Sequence, residues 1–174
     1  GVSRKDSLKG LLDHYDITVD EKKFRALMDE KNDHYRSLID KFDSSDLMEG
    51  ALPLLEHLRE KGVLIALGSA SRNAPMLIKQ LGIEAFFDLV VDPAGKKGKP
   101  EPDIFLSAMH HFDLEPNECI AFEDAVAGIE AINRAGMLSI GVGDEDLSDA
   151  DIHVRTLTEL SRSRIEAIIS GSRT

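Results

Sequence analysis

An α/β fold with a parallel sheet and helices on both faces is predicted for this chain by three observations. Short apolar runs alternate with helical patterns from residue 47 onward. Three of those runs end in polar loops rich in groups able to do chemistry, and each such loop leads into a helix. Ligands of open α/β sheets bind at the carboxyl ends of strands, which is where these loops stand. Residues 1–46 differ in having no strand-like run, and they read as a separate helical unit.

In that unit Ser3 and Asp6 make a capping-box-like start, and Leu8, Leu11, Leu12 and Tyr15 form one helical face. A second helix begins near Thr18 or Asp20 and is expected to bury Phe24, Leu27, Met28, Tyr35, Leu38 and Ile39. Lys31 falls on the same face, where its ammonium either snorkels to the edge or enters a cavity that needs charge. Asp43, Ser44, Ser45 and Asp46 are a hinge-like polar stretch, so the division expected is a helical domain over 1–46 and an α/β core over 47–174. A helix over 47–60 ends at Gly62 and leads to a continuous apolar strand over 63–67. A helix with Pro75 in its first turn runs to Leu81, and a short strand follows over 86–91. Ile104, Phe105, Ala108, Met109 and Phe112 line the next helix. Strands over 119–122, 138–142 and 152–154 and a last helix over 158–169 complete the alternation, with 170–174 as a frayed tail. His110 and His111 lie on a helix away from the strand ends and read as surface or core-edge groups.

The strand over 119–122 delivers Glu123 and Asp124 to a strand end, just before a helix rich in small residues that stops at Gly136. Two hard oxygen donors there suit Mg2+, which takes few protein carboxylates and keeps positions for water and a phosphate. An acidic first turn favoured by the helix dipole is the other reading. The strand over 63–67 breaks into Gly68, Ser69, Ala70, Ser71, Arg72 and Asn73. Small residues let a backbone approach an anion, the hydroxyls of Ser69 and Ser71 can donate to its oxygens, and Arg72 can neutralise it through paired hydrogen bonds. A helix cap alone explains the serines and the asparagine but leaves the arginine unexplained. In the third loop Gly98, Pro100 and Pro102 fix the backbone around Lys99, whose ammonium can balance carboxylates and phosphate without titrating. A solvated turn is the alternative, since Lys96 and Lys97 close by read as surface charge. Asp144, Glu145 and Asp146 superficially spell a second acidic motif after the run over 138–142; it is set aside because short motifs recur by accident.

Serine, lysine and an acidic pair, each after its own strand and in that order, resemble the haloacid dehalogenase superfamily of phosphotransferases, with its Rossmann-like core. The resemblance covers most of the chain. It implies that Ser69 binds the transferring phosphate, that Lys99 stabilises the phosphoryl group and its nucleophile, and that Glu123 and Asp124 help to hold Mg2+. More narrowly, Gly1 to Arg4, Lys31 to Asp33, Ala70 to Asn73, Asp92 to Ala94 and Gly141 to Gly143 resemble the β-phosphoglucomutase-like branch. That likeness implies that Arg4 and Lys31 reach a sugar phosphate from a helical cap, and that Ala70, Ser71, Arg72 and Asn73 bind its spectator phosphate. Arg72 stands where that branch often has a lysine; charge is kept and hydrogen-bond geometry changes. The implied reaction interconverts β-glucose 1-phosphate and glucose 6-phosphate through an aspartyl-phosphate, with a sugar-phosphate phosphatase or a non-catalytic anion-binding fragment as alternatives.

The superfamily's Asp-x-Asp motif, with nucleophile and general acid, follows a first strand that has no match in residues 1–174. These residues alone are expected to be inactive. In the family that strand lies between those carrying the serine and the acidic pair, so two ladder edges are expected to be open. Length allows one core domain and a small accessory one. A net charge of -11 argues against nucleic acid and anionic membranes as partners, so an anionic substrate must meet local positive charge. The single cysteine, Cys119, at the head of a buried strand, reads as a small core residue, consistent with a reducing cytoplasm. The complete protein is expected to be a monomer acting on a small sugar phosphate.

Overall fold

The computed structural model describes residues 4–171, with side chains from residue 5 onward. The proposed Ser3 cap lies outside the described residues, and of Arg4 only its place in the first helix is described. Helices α1 (Arg4–His14) and α2 (Glu21–Ile39) precede α3 (Ala51–Glu60), and the alternation then runs β1 (Ala66–Leu67), α4 (Ala74–Gln80), β2 (Leu89–Val90), α5 (Asp103–His111), β3 (Ile120–Glu123), α6 (Val126–Ala135), β4 (Leu138–Val142), β5 (Ile152–Val154) and α7 (Arg162–Ile169). Every ladder is parallel, as the alternation predicts.

Period-two alternation sorts the strand residues to two helical layers. Cys119 and Ala121 pack with Phe105 and Met109 of α5 and Ile129 and Ile132 of α6. Ile120 and Phe122 face the other way, joining Ile140, Val142, Leu54 and Leu58 of α3 and Ile165 and Ile168 of α7. The chain is therefore an α/β sandwich with helices on both faces of parallel strands.

The strands form two sheets, ordered β1-β2 and β3-β4-β5. Among the described residues no strand joins β1 to β3, which is the opening that the resemblance implies between the serine strand and the acidic strand. Leu138 donates to the carbonyl of Cys119, so the backbone groups of Ile120 and Phe122 face the open edge of β3.

Several expected elements shift. The apolar run over 63–67 makes a ladder only at Ala66–Leu67 because a side chain takes the place of a strand partner earlier on. The Ile65 N–H donates to Asp88 Oδ2 at 2.8 Å, while the Asp88 N–H donates back to the Ile65 carbonyl at 2.8 Å. Arg59 clamps the same carboxylate at 2.7 and 2.8 Å. The Ile65 amide and the Arg59 guanidinium hold the Asp88 carboxyl below the usual carboxylate range. Its contribution to stability is thus present above about pH 3.9, the ordinary carboxylate value, and is lost as pH falls through the lowered folded value. Asp88→Asn is expected to flatten the acid side of the stability profile, measured by urea unfolding between about pH 2 and 5.

Helix α3 starts at Ala51 rather than residue 47, because Gly50 is left-handed (φ 86°) and a Cβ there would meet the Thr158 nitrogen at 2.9 Å. Helix α7 starts at Arg162 rather than residue 158, after a 3-10 turn at Leu157–Glu159 that Thr156 and Glu159 cap reciprocally. In the amino-terminal helices Leu8 and Ile39 are buried, but Leu11 and Tyr15 are 55% and 64% exposed, and Tyr35 and Leu38 are 38% and 40% exposed. The apolar face read from the spacing is therefore only partly covered by neighbours in this structure. No described helix is long and apolar enough to cross a membrane.

Candidate active site

The loop after β1 lies against the start of α5, and the end of β3 is joined to the loop before α5 by a lysine. Gly68, just past β1, lies where a Cβ would touch Ile104 at 3.6 Å and Phe105 at 3.9 Å. Lys99 lies over the Phe105 ring, its ammonium 5.2 Å from the centroid, and donates to Glu123 Oε2 at 2.5 Å. The side chains of this pair are only 9% and 8% exposed. The structure thus joins the lysine loop to the acidic strand end through a nearly buried charge pair, with the glycine that opens the serine loop against the same helix.

A pair this far from water needs close geometry to offset desolvation. The Phe105 ring of α5, which begins four residues after Lys99, lies below the ammonium. Opposite, Glu123 lies across the first turn of α6. The Cβ of any residue replacing Gly128 would overlap Cγ and Cδ of Glu123. Gly128 is the site-building residue that the sequence reading passed over; the available signal was a glycine within a helix, a place where glycine costs stability unless something needs the room.

Asp124 is exposed, and its carboxylate has no hydrogen bond to the described residues. No cluster of three or more metal-ligating side chains occurs among the described residues. The donor set nevertheless fits Mg2+: one free carboxylate at Asp124 and the Glu123 oxygen not held by Lys99, with the other positions open to water and phosphate.

The serine loop is organised by its own hydroxyls. Ser69 Oγ accepts from the Ser71 N–H and Ser71 Oγ from the Asn73 N–H, each at 3.2 Å. Two of the loop's amides are thereby satisfied, and the serine O–H groups, half-buried beside an exposed Arg72, remain as donors together with the loop's other amides. Ala70 is half-buried between the two serines. Asn73 donates through Nδ2 to Asn32 of α2 at 2.9 Å. Its neighbour Lys31 is exposed and donates to Ser7 of α1 at 3.1 Å, so it is held by the helical unit rather than by the loop. The Arg4 side chain lies outside the described residues.

Other candidates are placed away from this chemistry. Asp144 pairs with Arg155 at 2.8 Å on an exposed surface, and Ser148 caps onto Asp146. Cys119 packs against the α5–α6 cluster, and burial, then the neighbouring Glu118, raises its thiol pKa. Since the thiolate is the reactive form, Cys119 is expected to react with a disulfide reagent at least about tenfold more slowly than a free thiol at neutral pH, measured in native against unfolded protein.

Comparison with known proteins shows the family and the fold. Residues 2–136 match the model of the haloacid dehalogenase-like hydrolase family. The chain is 42% identical over 167 residues to the β-phosphoglucomutase of Bacillus subtilis, a match covering 92% of this chain and 73% of that protein. It is 34% identical to the fructose-1-phosphate phosphatase of Escherichia coli, covering 67% of this chain and 62% of that one. The crystal structure of β-phosphoglucomutase from Clostridium difficile superposes with a TM-score of 0.93 at 36% identity, covering 98% of this chain and 78% of the other. By the extent of these matches, the chain belongs to the haloacid dehalogenase-like hydrolase family.

Proposed function

We propose that the site formed by Ser69, Lys99, Glu123 and Asp124 serves Mg2+-dependent phosphoryl transfer on hexose phosphates, interconverting β-glucose 1-phosphate and glucose 6-phosphate in the complete protein. The observation that carries the reading is the nearly buried Lys99–Glu123 pair, which brings the lysine loop to the acidic strand end of a fold shared with β-phosphoglucomutases. Lys99 would hold the phosphoryl oxygens by charge, and Ser69 would donate a hydroxyl hydrogen bond to them. Asp124 and Glu123 would hold Mg2+, which supplies charge neutralisation when bound. Ser71, Arg72 and Asn73 would hold the phosphate that does not react, and Arg4 and Lys31 would reach it from residues 1–46, acting as a cap over the core of residues 47–174.

The aspartate that accepts the phosphoryl group is proposed to enter on a strand between β1 and β3. The open edges of those two strands support this placement. The aspartyl-phosphate would pass its phosphoryl group to the free sugar hydroxyl, whose proton goes to the acid/base aspartate of the same motif, giving a sugar bisphosphate; the other phosphoryl group would then return to the carboxylate, and the sugar oxygen it leaves would take that proton back. Because nearly all of this is positioning and electrostatics, closing the cap to exclude water would decide between transfer to sugar and hydrolysis.

Hydrolysis is the second reading, favoured by the match to a sugar-phosphate phosphatase. Arg4→Ala in the complete protein separates the two. Loss of hexose phosphate interconversion with phosphate release retained supports the mutase, whereas no effect on either activity removes the proposed role of Arg4.

A further inference from the structure

The loop after β1 ends on an asparagine whose side chain does something unusual for its position. Asn73 is the N-cap of α4, where an asparagine ordinarily accepts a hydrogen bond from an amide of the first turn. Here its side chain makes no such cap bond. Pro75 has no amide hydrogen to offer, and Asn73 donates instead to Asn32 Oδ1 of α2 at 2.9 Å, across 41 residues of sequence and in a half-buried setting. The helix forgoes a stabilising cap in favour of a bond to the amino-terminal helices. Along this contact Gln80 of α4 also reaches the Asp40 carbonyl at 3.5 Å.

The contact continues into the serine loop. The Asn73 N–H is held by Ser71 Oγ, and the Ser71 N–H by Ser69 Oγ, so the Asn73 side chain is the outer end of a ladder that fixes both hydroxyls. Removing its outer partner frees Asn73 to turn back and cap α4. That turn would disturb the rung formed by the Asn73 amide and then the rung formed by the Ser71 amide.

We propose that Asn32 is a positioning residue: by accepting the Asn73 amide proton it docks α1 and α2 on the serine loop and sets the hydroxyl donors of Ser69 and Ser71, so that docking the helices and preparing the loop for a phosphate are one event. The phosphate half of this inference rests on the function proposed above. Asn32 touches no reacting group; it acts through Asn73.

Hydrogen exchange of the Ser71 and Asn73 amides in the 174-residue chain tests it, together with titration by inorganic phosphate. Loss of one neutral hydrogen bond predicts that Asn32→Ala speeds exchange at both amides about three- to tenfold and weakens phosphate binding by a similar factor. Asn32→Asp keeps an acceptor oxygen in place and is expected to restore both. Asn73→Ala is expected to speed exchange at the Ser71 amide as Asn32→Ala does, and the two together no more than either alone, while its effect on phosphate is expected to be larger because Asn73 is itself placed at the phosphate. Exchange at Ser71 and Asn73 unchanged in Asn32→Ala, or effects that add, would overturn the proposal whatever phosphate does. Exchange that moves as expected in a chain that binds no phosphate would instead overturn the function proposed for the loop.

Discussion

Gly128→Ala is expected to lower stability by about 2 to 4 kcal/mol, although alanine is the better helix former by about 1 kcal/mol. The new methyl group would occupy the space of the Glu123 side chain, so the carboxylate must leave Lys99. An ammonium that is 9% exposed would then lack its counter-charge, and breaking a buried pair from one side costs about 3 to 5 kcal/mol. The propensity gain offsets only a fraction of that. Gly10→Ala is the control: it lies inside α1 with nothing within 4 Å of a new Cβ, and it is expected to gain up to about 1 kcal/mol. Urea unfolding of the two variants beside the parent chain reads both signs. A stabilised Gly128→Ala protein would mean that Glu123 does not need the place the structure gives it.

Lys99→Met carries the second large effect and separates stability from function. Removing the ammonium leaves Glu123, 8% exposed, without a partner, again at a cost of about 3 to 5 kcal/mol. Adding Glu123→Gln removes the stranded charge, and replacing both members of a buried pair is often nearly neutral, so the double variant is expected to recover most of the loss. Phosphate binding should not recover, since the cation that would meet phosphate is gone. Recovery of both would reduce the pair to a structural element. Recovery of neither would show that the Lys99 stem is needed for packing.

What could be read from the sequence depended on how local the cause was. The strand over 138–142 has the predicted limits, because its residues are covered on both faces and paired on both edges, so composition alone fixes it. The equally apolar run over 63–67 yields a ladder at only two residues, because the Asp88 side chain occupies the Ile65 amide, and a bond to a residue 23 positions away leaves no mark in the run itself. Period 3.6 placed Tyr15, Tyr35 and Leu38 on apolar faces but could not say what covers those faces, and they are exposed. For the site, the types and order of Ser69, Lys99, Glu123 and Asp124 were legible because each follows its own strand. Which carboxylate the lysine takes, the room that Gly128 leaves for it, and the reach of Asn73 to Asn32 all depend on chain segments meeting in space.

The central claim is that Ser69, Lys99 and the acidic pair form the Mg2+-dependent half of a two-phosphate site whose other half is the Arg72 end of the serine loop. It is tested most directly by titrating glucose 1,6-bisphosphate into the 174-residue chain by phosphorus NMR, with and without Mg2+, in the parent, Arg72→Ala and Asp124→Asn proteins. The account predicts saturable binding that strengthens with Mg2+, about tenfold weaker binding in Arg72→Ala from loss of a charge-assisted pair, and a Mg2+ requirement shifted to higher concentration in Asp124→Asn. Binding indifferent to Mg2+ and to both substitutions, or no saturable binding at millimolar ligand, would contradict it.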